Sequence, residues 1–313
     1  MTGKVCVFGS FNFDMVARVD RFPVPGQSLV ATGSMTSAGG KGANQATAAL
    51  KAGANVHYIG KIGEDTFGQF ARRHLKTVGF NAITLLTTDE VPTGNALIYV
   101  AGNEAENMIA VDPGANMTVT DEEIAQCIPA ISCADVVLVQ LENNLSAIQQ
   151  VINAGREHGA FVVLNPAPYQ PVDDALLASV DLLTPNATEA WLLTGCRVTD
   201  ADSAKLAADA LHAKGVARVI ITLGAVGALL SEGGQQNVIP CFPSHPRDTT
   251  GAGDAFNGAL CARLACGESL PQAARFAAAY AAVSVEKHGA SALPEYQEAL
   301  ERLALATPHH EVA

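Results

Sequence analysis

The stretch Asp-Thr-Thr-Gly-Ala-Gly-Asp-Ala-Phe-Asn-Gly at residues 248–258 decides the fold class and indicates the chemistry. Small residues lead into an apolar run that predicts a helix over 255–264, which places Asp254 at the beginning of that helix. The amino end of a helix leaves backbone N–H groups unpaired and carries partial positive charge, and glycines let an anion approach it closely. The stretch therefore predicts an anion site beside a carboxylate.

Such a carboxylate is suited to phosphoryl transfer. Asp254 can accept the proton of an attacking hydroxyl while the N–H groups of residues 251–253 stabilise charge on the phosphoryl oxygens. The alternative is that Asp254 only caps the helix and the glycines form a tight turn. Gly-x-Gly-Asp alone does not separate the two interpretations, because short glycine motifs often match by chance. The longer stretch at 248–256 is far more specific.

A second glycine-rich stretch, Ala-Gly-Gly-Lys-Gly-Ala-Asn-Gln-Ala at 38–46, opens a helix predicted over 42–52. It is not a Walker A loop, because Gly42 stands where Ser or Thr is required after Lys41. Gly40 offers backbone donors, and Lys41 and Asn44 are placed to hydrogen-bond hydroxyl groups. An ordinary turn and helix start is the alternative interpretation.

Further polar residues and glycines follow predicted strands. They are Asn12 and Asp14 after 5–9, Glu142 after 136–141, Asn186 and Glu189 after 182–185, and Thr222, Gly224 and Gly227 after 219–223. In an open α/β sheet the carboxyl ends of the strands line the ligand crevice. Singly each group is a weak signal, and Asn12 with Asp14 also fits a turn-stabilising pair. Together they predict one site along one edge of a sheet.

The order of apolar runs predicts the architecture. Predicted strands at 56–60, 136–139, 161–164, 181–184 and 219–223 alternate with predicted helices at 66–78, 146–158, 188–194 and 202–214. This alternation is typical of βαβ units and a parallel sheet. Residues 14–34 and 93–112 instead predict strands without intervening helices, which form a small β-subdomain. The last third predicts helices at 255–266, 270–288 and 294–305.

The composition excludes several classes of protein. The 313 residues are 49% hydrophobic and carry a net charge of −12, without a Lys/Arg-rich run, so a nucleic-acid partner is not expected. Seven cysteines without a Cys-x-x-Cys pair argue against disulfides and zinc and favour a reducing cytoplasm. The amino terminus does not resemble a signal peptide, and the apolar runs are too short to span a membrane.

At this point the chain resembles the ribokinase-like (PfkB) carbohydrate kinases. The resemblance is carried by the stretches at 39–46 and 248–256, and by shorter ones at 112–116, 140–142, 164–168, 184–186 and 221–224, in order over residues 4–300. It implies a single domain, 1–313, with a central mostly parallel sheet flanked by helices. A small β-sheet lid, formed by about 14–38 and 93–112, is inserted into it.

The implied activity is transfer of the γ-phosphoryl group of ATP to a sugar hydroxyl, which is O5 of D-ribose in ribokinases. By resemblance, Asp254 is the catalytic base and Gly251, Ala252 and Gly253 form the anion hole. The positions that match sugar ligands are Asn12, Asp14, Gly40, Lys41, Asn44, Glu142 and Asp254. Those that match nucleotide ligands are Asn186, Thr222, Gly224, Gly227 and Gly253.

The resemblance also implies two metal ions. Asn186 and Glu189 match an element linked indirectly to Mg²⁺. Asp248, Thr250, Ser284, Lys287 and Gly289 match a potassium site built mostly from backbone carbonyls. The chain departs from the family at Leu293, where a Ser ligand is usual, and at Phe13, where a smaller residue is usual. The first departure questions full potassium dependence, and the second is expected to reshape the sugar pocket.

Family members commonly form homodimers through their lid sheets, which would place Ile98, Val100 and Ile109 in an interface. The main alternatives for function are a kinase of another sugar or of a nucleoside, such as deoxyribose, fructose or an adenosine-like compound. A non-catalytic sugar- or nucleotide-binding protein on the same fold is a further alternative. A dehydrogenase is excluded because Gly9 is not followed by the Gly-x-Gly-x-x-Gly pattern.

Overall fold

A computed structural model of the chain describes residues 2–102, 106–289 and 292–305. The strands are β1 (Lys4–Phe8), β2 (Asn12–Val19), β3 (Gly33–Gly39), β4 (Asn55–Gly63), β5 (Ala82–Thr88), β6 (Asn95–Ala101), β7 (Glu106–Asp112), β8 (Val136–Gln140), β9 (Phe161–Asn165), β10 (Leu182–Leu183), β11 (Arg218–Thr222), β12 (Gly227–Glu232) and β13 (Gln235–Pro240). The helices are α1 (Lys41–Lys51), α2 (Thr66–Val78), α3 (Asp121–Ile131), α4 (Leu145–Glu157), α5 (Asp174–Ala178), α6 (Ala187–Thr194), α7 (Ala201–Ala213), α8 (Ala252–Ala265), α9 (Leu270–Ser284) and α10 (Tyr296–Leu305).

A nine-stranded sheet forms the centre of the molecule, in the order β13-β12-β11-β10-β9-β8-β1-β4-β5. The pairs from β5 to β11 are parallel, and β12 and β13 extend the sheet as antiparallel strands. All five residues of β8 are buried, as expected of a strand covered on both faces. The prediction of a mostly parallel sheet flanked by helices is confirmed.

Two hydrophobic clusters cover the two faces of this sheet. One contains apolar side chains of α1, α2, α8, α9 and α10, and the other those of α3, α4, α5, α6 and α7. Within the first cluster α1 and α8 lie in direct backbone contact at Gly258. A Cβ atom there would lie 2.5 Å from the Cβ of Ala48 and 2.8 Å from the backbone nitrogen of Ala49. Glycine at this position therefore sets the separation of the two helices.

A second, small sheet has the order β3-β2-β6-β7, with β2 and β6 parallel and the outer pairs antiparallel. Its strands overlap the segments 14–38 and 93–112 that the sequence assigns to a lid. Residues 103–105 of the second segment, and residues 306–313 of the predicted domain, lie outside the described residues. Residues 20–32, which contain two prolines and a glycine, form no strand.

The sequence patterns located most helices to within one or two residues, and α2 begins and ends at the predicted positions. They missed β5, the β12–β13 hairpin and α3, which begins with a capping box between Thr120 and Glu123 and contains Pro129. The helix predicted over 270–288 ends at Ser284. Among the described residues, no helix combines the length and apolar character needed to cross a membrane.

Candidate active site

The carboxyl ends of the central strands meet the amino ends of two helices. The segment after β1 leads to the small sheet, Glu142 lies just beyond β8, and Asn165 ends β9. Helix α1 begins at Lys41 and helix α8 begins at Ala252, and both point their amino ends at this edge. All the predicted sugar and nucleotide ligands lie on these segments or on β10 and β11 and the loops that follow them.

Asp254 lies in the first turn of α8 and is only 7% exposed. Each of its carboxylate oxygens accepts a hydrogen bond from α1: Oδ2 from Nδ2 of Asn44 at 3.2 Å and Oδ1 from Nε2 of Gln45 at 2.9 Å. Gly251 is the residue immediately before α8. It has a φ of 76°, a left-handed conformation that glycine adopts without strain. The structure thus places Asp254 beside an open helix amino end.

A chain of buried amides lies behind Asp254. Nε2 of Gln45 also donates to Oδ1 of Asn165 at 2.9 Å, and Oε1 of Gln45 accepts from Nε2 of Gln140 at 2.7 Å. Nδ2 of Asn165 donates to the carbonyl of Thr184 at 2.8 Å. Gln45 and Gln140 are fully buried and Asn165 is nearly so. Buried polar groups of this kind hold one arrangement because losing a partner is costly.

The same series of hydrogen bonds extends to the glycine-rich turn at the start of α8. The hydroxyl of Thr184 donates to Oδ1 of Asn257 at 2.5 Å, and Nδ2 of Asn257 donates to the carbonyl of Gly253 at 2.8 Å. Asn257 is 2% exposed. The peptide that follows Gly253 is therefore held by a buried side chain one turn further along α8. Because Asn257 also bonds Thr184, which follows β10, the two hydrogen bonds together fix the first turn of α8 relative to β10.

Glu142 organises the acceptor side of the site. Its Oε2 accepts a very short hydrogen bond from the hydroxyl of Ser10, and one from the backbone N–H of Lys41 at 2.9 Å. The Ser10 hydroxyl in turn accepts from the N–H of Gly42 at 3.3 Å. Gly40, the residue before α1, has a φ of 92°, and a Cβ atom there would lie 2.8 Å from the backbone nitrogen of Asn12. Glycine is required at this crossing.

The charges at this end of the site are unbalanced. Burial raises the pKa of Glu142, and burial together with repulsion from Glu142 raises the pKa of Asp14 to about 7. For Lys41, burial works to lower the pKa, but the carboxylates of Asp254, Glu142 and Glu189 outweigh it and the pKa is raised. Lys41 is therefore the cation that faces this group of carboxylates.

Asn12 and Phe13 lie at the base of the small sheet and point to opposite faces of β2. Oδ1 of Asn12 accepts from Nδ2 of Asn116 at 2.9 Å. The ring of Phe13 stacks on Phe67 with centroids 4.3 Å apart and planes at 7°, and meets the edge of Phe70 at 4.8 Å. The Phe13 ring thus packs against α2 and not beside Asn12, and its effect on a sugar pocket stays a prediction.

Two adjoining cavities flank the amino end of α8. The polar one, about 170 Å³, is lined by Lys41, Asn165, Ala167, Thr184, Asn186, Glu189, Thr222, Thr249, Gly251, Ala252, Gly253, Asp254 and Asn257. The apolar one, about 280 Å³, is lined by Thr222, Gly224, Ala225, Gly227, Cys241, Ser244, Pro246, Thr249, Ala252, Gly253, Phe256, Ala278, Ala281, Ala282 and Val285. Their shared residues include Thr222 and Gly253. The pair fits a molecule with a charged end and a flat apolar end.

Asn186 and Glu189 cap α6 at the wall of the polar cavity. Oδ1 of Asn186 accepts from the N–H of Glu189 at 2.8 Å, and Oε2 of Glu189 accepts from the N–H of Asn186 at 2.8 Å. Burial raises the pKa of Glu189. Among the residues that the structure describes, no cluster of three or more His, Cys, Asp or Glu side chains is arranged to hold a metal ion. Any divalent ion here would depend on ligands from a bound phosphate.

Asp248 links the glycine-rich turn to the segment after α9. Its carboxylate accepts from the N–H of Thr250 and from the N–H of Gly289, each at 2.9 Å. Burial opposes the charged form of Asp248, but these bonds outweigh it and lower its pKa. The predicted ligands Ser284 and Lys287 lie on the same segment, and the Lys287 ammonium pairs with Glu298 at 2.9 Å.

Leu293 differs from the ligand that the family pattern has at this position. Its side chain is 3% exposed and belongs to the hydrophobic core. Its carbonyl accepts from Nζ of Lys51 at 3.1 Å. The carbonyls of Ser284 and Gly289 also accept backbone N–H groups, from Lys287 and Ala292. Leu293 therefore uses its backbone oxygen in a contact within the protein.

The structure brings together the residues predicted for the sugar, for the phosphates and for catalysis. Sequence interpretation missed four residues in the same site: Ser10, Gln45, Asn165 and Asn257. Ser10, Gln45 and Asn257 each lie in the same stretch as a predicted residue, whereas the stretch 164–168 that contains Asn165 had no predicted site residue. The signal was present in those stretches, but nothing in the sequence shows which polar neighbours point inward.

Known proteins resemble this chain over nearly its whole length. The model for the pfkB family carbohydrate kinases matches residues 2–296. The ribokinase of Haemophilus influenzae is 41% identical over 97% of this chain and 99% of its own. The ribokinase of Staphylococcus aureus is 38% identical over 93% and 96%. The structure of Arabidopsis thaliana ribokinase complexed with ribose and ATP has a TM-score of 0.88 at 31% identity, covering 97% of this chain and 99% of that one.

The raised pKa of Asp14 predicts a dependence of stability on pH. The folded protein keeps a proton on Asp14 up to about pH 7, whereas the unfolded chain loses it near the ordinary value of 3.8. Stability therefore falls, from this cause, as the pH rises between these values. Asp14→Asn removes this loss of stability. The free energy of unfolding of the variant, relative to that of the wild type, should therefore increase from pH 5 to pH 8. Urea unfolding at both pH values measures this difference.

Asp20→Asn is the matched control, because Asp20 is exposed just beyond the end of β2. The difference in free energy of unfolding between Asp20→Asn and the wild type should be the same at both pH values. A difference for Asp14→Asn that stays constant between pH 5 and pH 8 would show that Asp14 ionises normally in the folded protein.

Proposed function

The chain belongs to the pfkB family of carbohydrate kinases, phosphotransferases that act on a sugar hydroxyl, and we propose that its acceptor is D-ribose and its donor is ATP. The observation that carries the proposal is the position of Asp254. This carboxylate lines the polar cavity and lies within hydrogen-bonding distance of Asn44 on α1. The names of the similar proteins support ribose as the acceptor, and we propose O5 as its attacking hydroxyl, which would give ribose 5-phosphate.

The acceptor binds, in this proposal, between the end of β1, the amino end of α1 and Glu142. Asn12, Asp14, Asn44 and Glu142 present amide and carboxyl groups, which suit the several hydroxyls of a sugar. The N–H group at Gly40 and the side-chain ammonium of Lys41 add donors. The small sheet acts as a lid over the sugar and excludes water, which protects the phosphoryl group from hydrolysis.

The nucleotide occupies the two adjoining cavities. Its base fits the apolar cavity beside Gly224 and Gly227, and its phosphates extend along the polar cavity past Thr222 and Asn186. The N–H groups at Gly251, Ala252 and Gly253 receive the transferred phosphoryl group at the amino end of α8. Asp254 takes the proton of the sugar hydroxyl as that oxygen attacks phosphorus in line with the leaving ADP.

Magnesium accompanies the nucleotide in this proposal. Mg²⁺ keeps several waters and is bound by substrate phosphates with one or two carboxylates. Glu189 fits such a role, because it lies in the wall of the polar cavity and is 7% exposed. Asn186 and Glu189 would contact the waters of the ion, since each already gives one oxygen to the helix cap. When bound, the ion would neutralise charge on the phosphates.

The base is tested by Asp254→Asn, which keeps the shape of the side chain but removes its capacity to accept a proton. Turnover of ribose should fall by about 10²–10⁴-fold, because general base catalysis contributes an effect of this size. Ribose binding, measured by calorimetry, should remain within a few-fold of the wild type. Asp202→Asn on the exposed side of α7 is the control and should leave both unchanged.

The wild type is assayed in parallel with ATP and ribose, 2-deoxyribose, fructose and adenosine. The highest kcat/KM is expected for ribose. Near-normal turnover by Asp254→Asn would remove Asp254 as the base. A higher kcat/KM for another acceptor would replace ribose while leaving the kinase assignment in place.

We also propose a monovalent cation site, preferentially for K⁺, between the 248–250 turn and the 284–289 segment. The support is the charged Asp248 carboxylate, which holds the two segments together through Thr250 and Gly289. The cation would be held mostly by backbone carbonyls of these segments. Leu293 offers no side-chain ligand, and its carbonyl, which accepts from Lys51, would be its only available oxygen. When bound, the cation would add positive charge beside the anion hole.

Potassium should raise both the melting temperature and the turnover of the enzyme, because a ligand that binds only the folded state stabilises it. The comparison uses KCl and tetramethylammonium chloride at equal ionic strength. Asp248→Asn, which weakens the link between the two segments, should lose most of the difference. Identical melting temperatures and rates in the two salts would exclude the cation site.

We propose that two copies pair through the small sheets. The residues Ile98, Val100 and Ile109 lie on the same face as Asp14, by the register of β2, β6 and β7. Ile109 is 55% exposed, and Met35 and Val111 on that face are exposed as well. An apolar patch of this kind on a soluble protein is typical of an interface.

Light scattering should give a dimer for the wild type and a monomer for Ile109→Asp, because a buried unpaired carboxylate is costly. Leu206→Asp, at an exposed leucine of α7, is the control and should remain a dimer. A monomeric wild type would reject the pairing.

The seven free cysteines support a reducing cytoplasm as the location, which cell fractionation would check.

A further inference from the structure

We infer that Gln45 is a positioning residue for the reaction: its side-chain amide holds the Asp254 carboxylate in the orientation that accepts the proton of the sugar hydroxyl. The inference rests on the proposed role of Asp254 as base. Gln45 lies one residue beyond Asn44, points into the protein, and is fully buried. Its amide groups bond only to Gln140, Asn165 and Asp254 among the described residues, so it acts through Asp254 and not on a substrate.

The hydrogen bonds of Gln45 determine the direction of its amide. Oε1 accepts from Nε2 of Gln140 at 2.7 Å, which leaves Nε2 to face the two acceptors. Nε2 uses its two hydrogens on Oδ1 of Asp254 and Oδ1 of Asn165, each at 2.9 Å. A side-chain amide has two donor hydrogens, so its donor capacity is fully used. A flipped amide would place its oxygen against two other oxygens, which is unfavourable.

A neutral donor suits a catalytic base. A hydrogen bond from a neutral amide orients a carboxylate and favours its charged form. A positively charged donor at the same place would lower the proton affinity of the carboxylate much more than the neutral amide does. The charged groups that face Asp254 are Lys41 from α1, Glu142 beyond β8 and Glu189 from α6. Gln45 therefore fixes the geometry of Asp254 without adding to this charge balance.

The reach of Gln45 depends on the packing of its helix. A Cβ atom at Gly258 would collide with the backbone carbonyl of Gln45, so α8 approaches α1 at this residue. Gly258 is four residues beyond Asp254, which places both on one face of α8. The same face of α1 that contacts α8 thus carries the two donors, Asn44 and Gln45, to the carboxylate. The geometry of the base is set by the contact of two helices.

Gln45→Met tests the inference, since methionine has a similar length but no donor. We expect kcat with ribose to fall about 10- to 100-fold, because small misplacements of a reacting group have effects of this size. The KM values for ribose and ATP should stay within about threefold, because Gln45 is fully buried and its amide bonds protein groups. Thr47→Val is the control: Thr47 is a buried residue of α1 that bonds only the Ala43 carbonyl, and its variant should keep the wild-type kcat.

Gln45→Glu is the second variant, and it keeps the volume of the side chain. Its carboxylate would face that of Asp254, so the two would share a proton and the acid limb of kcat against pH should move to higher pH. A residue that only fills space would leave that limb in place. This profile decides the question if Gln45→Met does not fold, as judged by circular dichroism.

A wild-type kcat for folded Gln45→Met, or an unmoved acid limb for Gln45→Glu, would overturn the inference. So would equal losses in kcat and in substrate affinity. Asp254→Asn is measured alongside to separate the two proposals. An active Asp254→Asn would reject the base and with it the role of Gln45, whereas an inactive Asp254→Asn with unaffected Gln45 variants would reject only the role of Gln45.

Discussion

The two hydrogen bonds from α1 to the Asp254 carboxylate are the contact on which the rest of the site depends. They join residues that are 210 and 209 positions apart in the chain. Helix α1 also brings the backbone N–H of Lys41 to Glu142, on the acceptor side. Helix α8 brings the glycine-rich turn to the cavities. One pair of helices in backbone contact therefore fixes the distance between the place for an acceptor and the place for a phosphate.

The electrostatic consequence is a site in which carboxyl groups are concentrated and in which Lys41 is the one lysine, among the described residues, that faces them. Asp14, Glu142 and Glu189 all have raised pKa values, for which burial is the largest cause. For Lys41, burial opposes the charged form, but the carboxylates of Asp254, Glu142 and Glu189 outweigh it and raise the pKa. Such an arrangement suits a neutral, hydroxyl-rich acceptor better than an anionic one. In the proposed function, the anionic donor would bind instead at the backbone N–H groups at the amino end of α8.

Sequence interpretation could predict the alternation of strands and helices because buried parallel strands and amphipathic helices have different apolar periods. It could place Asp254 in the first turn of a helix because glycines and small residues precede an apolar run. It could not identify Gln45, since a glutamine in an alanine-rich helix has no pattern that shows which way it points. The side of β2 on which Phe13 lies depends on the position of α2, which is a tertiary contact. The β12–β13 hairpin was missed because its polar outer strand has little apolar signal.

The stacked rings of Phe13 and Phe67 have a mechanical consequence. Parallel rings in contact resist being pulled apart more than they resist sliding, because sliding keeps most of the contact area. Asn12, one residue away, is anchored to Asn116 by a hydrogen bond of fixed length. The root of the small sheet is thus held at two points, on α2 through Phe13 and on Asn116 through Asn12. Any change in the angle of the sheet would move Asn12 and Asp14 least and the far ends of the strands most.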